Sequence, residues 1–307
     1  MSTVQIVAPV LIMLVIGVVC NKGKLISQEV VEGIKKFITT FPLPLTIFNA
    51  VSTATYNSEV VRLFVVMFIV VVAALLIGFL CKGAVKYPYR KYFPYLMTIY
   101  EGGMMAFPLY QSLMGEKNFS NIVMIDVPCG IFAFGIYFGM IKMTDQGTKI
   151  NPKELIKNAL SSPCFIALVL GLICGVSGIM DKFMATDVSG VYTSIKDMIT
   201  APLSAMILLC VGYEFTLERD SIGICLKTVF VRVIIQGALL LGTLFLAKQW
   251  NFSEPMIIGL ILYFLTMPSL CVSSFVKNQD AGRYISTTSS LYLIITLITY
   301  VVLAAVI

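Results

Sequence analysis

Histidine is absent from all 307 residues of the chain. Without it no Ser-His-Asp set can form, and a zinc site would need cysteine and carboxylate spacings that the chain does not have. The eight cysteines, Cys20, Cys81, Cys129, Cys164, Cys174, Cys210, Cys225 and Cys271, never fall as CxxC. All lie within or at the ends of apolar runs, where a thiol serves as a small apolar filler. There is no Walker loop and no nucleophile beside a base, so neither an enzyme, a metal centre nor a bound cofactor is expected. Charge is scarce as well: 12% of residues carry it, against 58% that are hydrophobic. No stretch is polar enough for a separate soluble domain. The net charge of +6 is spread over short loops, without the clustered basic stripe that nucleic-acid binding needs.

That much apolar surface belongs in a lipid bilayer, the chain's first expected partner. Runs of bilayer length can be read at 3–20, 31–51, 63–81, 93–113, 122–142, 162–180, 191–215, 226–248, 256–276 and 284–307. Their continuity predicts helices, since barrel strands would alternate over about ten residues. The first run lacks a basic leader and a small-residue cleavage site, and it reads as a retained span. Seventeen of the 22 Lys and Arg residues, Lys35, Lys149, Arg219 and Arg232 among them, are assigned to one side. Arg62, Lys117, Lys182, Lys196 and Lys248 are assigned to the other. The positive-inside rule then makes the odd-numbered loops cytoplasmic and puts both termini outside the cell's inner (plasma) membrane.

Two of these runs hold residues that a plain anchor would not. Tyr100 to Gln111 reads YEGGMMAFPLYQ, with a carboxylate, two glycines and a proline. Glu101 is costly in hydrocarbon, about 3 kcal/mol on insertion scales, and is kept only where protein or water surrounds it. Gly102, Gly103 and Pro108 weaken the helix, and open backbone at this depth must line a cavity or be buried in protein. A second interruption, Leu265-Thr266-Met267-Pro268-Ser269, stands at the corresponding place in the ninth run. Paired breaks of this kind point to the binding site of a secondary transporter.

The halves correspond elsewhere too. Pro9 and LVIGVVC are echoed by Pro163 and LVLGLIC, and the Lys35–Pro42 region by Lys196–Pro202. Three pairs in one order indicate a duplication, and with five spans per half the second copy enters from the opposite side. The expected fold is an all-α polytopic membrane protein of ten transmembrane helices: two inverted five-helix repeats, 1–143 and 161–307, joined by a cytoplasmic linker over 144–160. Tyr87, Tyr89, Tyr92, Phe93 and Tyr95, among Lys86, Arg90 and Lys91, read as a headgroup-level belt, and Trp250 likewise.

Four carboxylates lie in or near the runs. Asp197 and Glu214 stand at the ends of the seventh and read as surface charges. Glu101 and Asp126 lie deeper. Withdrawal from water penalises a carboxylate's charged form, which is the property a proton carrier needs. For Asp126 a capping charge at the outer rim is the competing reading. The later half-helices, starting near Pro108 and Pro268, would present free N–H groups to an anion. Thr266, Ser269, Ser273 and Ser274 either donate to that anion or bond their own helix. The carbonyls ahead of each break would suit a proton-linked water or a sodium ion.

The segments VLIMLVIGVVCNKGKLIS, FPLPLTIFNAV, EGGMMAFPLYQSLMG, PLSAMILLCVGYEF and FLTMPSLCVSSFVKN occur in this order along nearly the whole chain. In them the chain resembles the auxin efflux carrier family in its bacterial form, within the wider bile acid/sodium symporter-like and sodium/proton antiporter-like fold. The resemblance implies a scaffold of spans 1, 2, 6 and 7, often dimeric, and a mobile core of spans 3–5 and 8–10. Broken helices 4 and 9 would cross at a proline and hold a small organic anion such as malate or malonate, moved by an elevator-like shift. Where many members carry asparagine this chain has Glu101, which favours proton coupling or a less anionic substrate, and a proton is expected as the coupling ion ahead of sodium. The candidate substrate-binding residues are Glu101, Gly102, Gly103, Pro108, Thr266, Met267, Pro268, Ser269, Ser273 and Asn49, with Glu101 and Asp126 as proton carriers. The alternative is a membrane sensor of the same fold that binds a ligand and transports nothing.

Overall fold

The computed structural model describes residues 3–147, 152–218 and 221–307. Among them every regular element is helical, and the one β-bridge joins Tyr100 to Pro268. The α-helices are α1 (Thr3–Lys22), α2 (Gln28–Thr40), α3 (Pro42–Ser52), α4 (Ser58–Cys81), α5 (Phe93–Leu96), α6 (Phe107–Met114), α7 (Phe119–Phe132), α8 (Phe138–Gln146) and α9 (Pro152–Leu160). There follow α10 (Pro163–Val176), α11 (Ile179–Met184), α12 (Ser189–Thr200), α13 (Leu203–Tyr213), α14 (Ile222–Gln249), α15 (Glu254–Phe264), α16 (Cys271–Ser274) and α17 (Gln279–Val306).

Among the described residues six stretches are long and apolar enough to cross a bilayer: Thr3–Lys22, Ser58–Ala84, Glu116–Gln146, Ser189–Tyr213, Ile222–Gln249 and Gln279–Val306. They coincide with six of the ten expected runs. The other four, 31–51, 93–113, 162–180 and 256–276, are built in shorter pieces. In the second run α2 stops at Phe41 and Pro42 opens α3, because a proline has no N–H to continue the ladder but suits a first turn. In the fourth and ninth runs the gap is several residues wide.

Glycine sets the closest packing. A Cβ built on Gly212 would lie 2.1 Å from the Leu14 carbonyl oxygen, and one on Gly17 2.2 Å from that of Leu209. So α1 and α13 touch backbone to backbone. Pairing of α3 with α10 runs through Gly171, whose Cβ would meet Val51 at 3.0 Å. Elsewhere α4 packs on α5 and α7, α7 on α15, and α14 on α17.

Three readings from sequence are corrected here. Tyr92, Phe93 and Tyr95 are buried and are no headgroup belt: Tyr92 Oη donates to Asp145 Oδ1 at 2.6 Å, and Tyr95 Oη shares a 2.7 Å hydrogen bond with Thr144 Oγ1. Only Tyr87 of that group is highly exposed. Glu214 is no free surface charge, because it pairs with Lys35 and both side chains are largely covered. Arg232, assigned to a cytoplasmic loop, is wholly buried far from both ends of α14. Asp197 does lie at the surface, beside Lys196 at 2.6 Å. Of the linker, α9 takes up 152–160, while 144–146 still belong to α8. Residues 148–151, with Lys149, and Arg219 lie outside the described residues.

Candidate functional site at a helix crossing

The fourth run starts as the single turn α5 and then leaves helical geometry. Glu101, at φ −86° and ψ 78°, ends the gap, and a π-helical turn over Gly102–Ala106 leads into α6. Glycine is needed there for space: a Cβ on Gly102 would lie 2.3 Å from Asp126 Oδ1, and one on Gly103 3.1 Å from Leu43 Cδ2. The ninth run breaks after Phe264 and resumes at Cys271. The two gaps cross. Tyr100 and Pro268 form the antiparallel bridge, and Glu101 N donates to Met267 O at 2.9 Å.

Pro108, predicted to break the helix, sits inside the continuous stretch leading into α6 and away from this contact. The chain turns at the two glycines ahead of it, and the missing N–H of Pro108 falls just after the wide π-helical turn. In space the partner of Pro268 is thus Tyr100, although in sequence it is Pro108.

Glu101 is 4% exposed, and its carboxylate gathers donors from both interrupted helices. Oε1 accepts from Met104 N at 3.2 Å; Oε2 accepts from Ser269 Oγ at 3.0 Å and Leu270 N at 2.6 Å. The free N–H groups read as an anion site are therefore met by the protein's own anion. Three hydrogen bonds to a charged acceptor, about 1.5–3 kcal/mol each, are what makes a carboxylate tolerable at this depth.

The opposite ends are met by α14. Arg232 Nη1 donates to Leu96 O, and Nη2 donates to Ile99 O at 3.0 Å and Thr266 O at 3.4 Å. One helical turn on, Gln236 Nε2 donates to Met97 O at 2.6 Å and Gln236 Oε1 accepts from Tyr100 Oη at 2.6 Å. Tyr137 Oη serves Tyr95 O at 2.7 Å, and Thr296 Oγ1 serves Leu265 O at 3.0 Å. Seven carbonyls at and beside the breaks, counting Met267, thus have partners. That is how irregular backbone is tolerated where water is missing.

Two cavities flank the crossing. One, of about 300 Å³, opens toward the linker side; Glu101, Gly102, Gly103, Asp126, Ser269 and Cys271 line it, among apolar neighbours. The other, of about 240 Å³, lies toward the opposite ends and is lined by Asn49, Gly103, Pro108, Gln111, Lys196 and Ser204. Gly103 lines both, and Leu43 presses on it. Asp126 faces the linker-side cavity against Gly102 and accepts from Tyr263 Oη, so it is not a capping charge at the rim.

The candidate residues thus divide. Glu101, Gly102, Met267, Pro268 and Ser269 meet at the crossing with Asp126 beside them, whereas Pro108 and Asn49 line the far cavity, Asn49 Oδ1 accepting from Tyr192 Oη at 3.0 Å. Thr266 and Ser273 hydroxyls bond their own backbone, to Leu262 O and Leu270 O, each at 2.8 Å. The Ser274 side chain lies outside the described part of the structure. Arg232, Gln236 and Tyr263 were missed. A signal for the first two was present: a cation and an amide four residues apart share one face of an apolar helix, and an intramembrane charge is a functional candidate by default.

A family model described as membrane transport protein matches residues 2–307. No curated protein matches the chain.

Proposed function

The chain belongs to the membrane transport protein family, that of the auxin efflux carriers, and from that premise we propose a proton-coupled secondary transporter of a small organic anion. The carrying observation is the Glu101 carboxylate resting on donors from both broken helices. A substrate carboxylate needs those same donors. While Glu101 is charged it holds them and repels a second anion; once protonated it loses its charge and releases most of its claim. Anion and proton therefore load together. Asp126, open to the linker-side cavity and next to Gly102, is the group through which the proton reaches Glu101.

The architecture proposed is ten spans in two inverted repeats, 1–143 and 161–307, with the 144–160 linker cytoplasmic and both termini outside the inner membrane. Backbone-to-backbone packing of α1 on α13 and close packing of α3 on α10 support a rigid scaffold of spans 1, 2, 6 and 7, through which two copies would pair. The crossing would travel with the remaining spans past Leu43, exchanging one cavity for the other in an elevator-like step. A second reading follows from the linker-side cavity, which among the described residues has two carboxylates and no cationic side chain. It favours a solute that brings its own positive charge, an amine.

Uptake into liposomes by the purified protein tests this, with labelled dicarboxylates, aromatic acids, amino acids and amines under imposed pH and sodium gradients. Acid uptake driven by the pH gradient is expected. Amine uptake alone would replace the first reading with the second, and binding without uptake in every case would leave a sensor.

A further inference from the structure

Arg232 has surroundings that a buried arginine seldom has. Among the described residues no carboxylate pairs with it. Its charge is met by the carbonyl oxygens of Leu96, Ile99 and Thr266, and by the faces of Tyr100 and Tyr292, whose centroids lie 5.4 and 5.1 Å from the guanidinium carbon. Among the described residues Nε has no hydrogen-bond partner within 3.5 Å. Converging carbonyls from two interrupted helices, closed off by aromatic faces, are the surroundings of a bound alkali cation, here filled by a side chain. The carbonyls ahead of the breaks, read from sequence as a place for sodium, are these same groups.

We propose that Arg232 is a built-in cation: it stands where a coupling cation would bind, joins the two broken helices permanently, and makes the crossing indifferent to sodium. A sodium ion needs several oxygen ligands and a site free of positive charge. Here the oxygens are taken and a positive charge is fixed among them. Gln236 is a positioning residue, holding Met97 O and the Tyr100 hydroxyl so that the Tyr100 ring stays over the guanidinium. The inference rests on the crossing alone and stands or falls apart from what the protein carries.

The experiment uses full-length protein purified in detergent and measures ²²Na⁺ binding and the thermal unfolding midpoint in sodium chloride against choline chloride at equal ionic strength. For the wild type no saturable ²²Na⁺ binding and equal midpoints are expected. Arg232→Ser removes the charge and leaves a carbonyl-lined space. Its midpoint is expected to fall by several degrees in choline and to recover partly in millimolar sodium or guanidinium chloride, with saturable ²²Na⁺ binding gained. Arg232→Lys, which keeps a point charge, is expected to fold and to stay blind to sodium, and it carries the test if the serine variant does not survive purification. Saturable sodium binding by the wild type overturns the proposal. So does a folded Arg232→Ser protein as stable as the wild type and unresponsive to both cations, or a lysine variant that binds sodium.

Discussion

Replacing Glu101 by glutamine separates the carboxylate's shape from its charge. The amide oxygen can still accept from one side, either Met104 N or the Ser269 and Leu270 pair, but the amide nitrogen turns a donor toward the other. One contact is lost and a donor orphaned, at about 1–3 kcal/mol; the surviving bonds weaken from charged to neutral, about 1 kcal/mol each. Against this, a buried ion whose desolvation costs several kcal/mol is gone. The terms are of similar size, so Glu101→Gln is expected to stay folded. Function should change far more. A substrate carboxylate on those donors would lie within about 4 Å of Glu101, where two negative charges repel by about 4 kcal/mol at an effective dielectric of 20, nearly a thousandfold in affinity. With one proton taken up per anion, as proposed, wild-type affinity should fall by about tenfold per pH unit above the titration of the site. The glutamine variant should bind with no such slope, keep its exchange of labelled for unlabelled acid, and lose accumulation driven by a pH gradient. Equilibrium binding from pH 5 to 8 and uptake in liposomes read both effects. A variant with the wild-type slope would clear Glu101 of the coupling role.

Gly212→Val places side-chain atoms against the Leu14 backbone, which a Cβ alone would meet at 2.1 Å, and is expected to cost at least about 1–3 kcal/mol, seen as a lower midpoint or loss of monodispersity. Gly102→Ala drives a methyl into the Asp126 carboxylate and should abolish uptake while the glycine-packed helices remain assembled, a split that a fluorescence midpoint near the wild-type value would show. Lys35→Met should destabilise by about 1–2 kcal/mol, between the values for exposed and buried pairs, by leaving Glu214 half-buried and alone. The double variant with Glu214→Leu should recover most of that loss in a double-mutant cycle; additive losses would show that the pair does not interact.

The long runs were legible because a bilayer demands about 20 apolar residues, and six of them appear as single stretches. The breaks were legible because a carboxylate, two glycines and a proline in one run, matched by a second interruption in the ninth, are more than a kinked anchor needs. What misled was the marker. Pro108 stood out by sequence and fitted the offset to Pro268, yet the gap lies ahead of Glu101, where glycines permit a turn that no periodicity records. The hydroxyls of Thr266, Ser269 and Ser273 illustrate another limit: all three are chemically alike, and only tertiary position sends one to Glu101 and two to their own backbone. Arg232 was lost for a different reason. Counting basic residues to orient the chain treats each as a loop charge, and one held deep among carbonyls satisfies the same count.

Glu101 and Arg232 together constrain what can cross the membrane. Each faces backbone groups of both broken helices, one at donors and the other at acceptors, so the crossing at rest carries one negative and one positive charge. Arginine stays charged throughout, so protonating Glu101 leaves a buried positive charge without its balance. A bound monoanion restores it. One negative charge then stands at the crossing in either loaded or empty form, and a monocarboxylate moving with one proton transfers no net charge. A membrane potential of 100 mV acts on each net charge with about 2.3 kcal/mol, roughly fiftyfold in accumulation, while one pH unit supplies about 1.4 kcal/mol. Uptake of a monocarboxylate should therefore follow a pH gradient and ignore a potassium diffusion potential set with valinomycin, whereas a dicarboxylate carried with one proton should be held back by an inside-negative potential. If an inside-negative potential of that size changes monocarboxylate accumulation tenfold or more, the acid does not move with one proton, and the exchange of Glu101 for the substrate's carboxylate is not how this protein couples its ions.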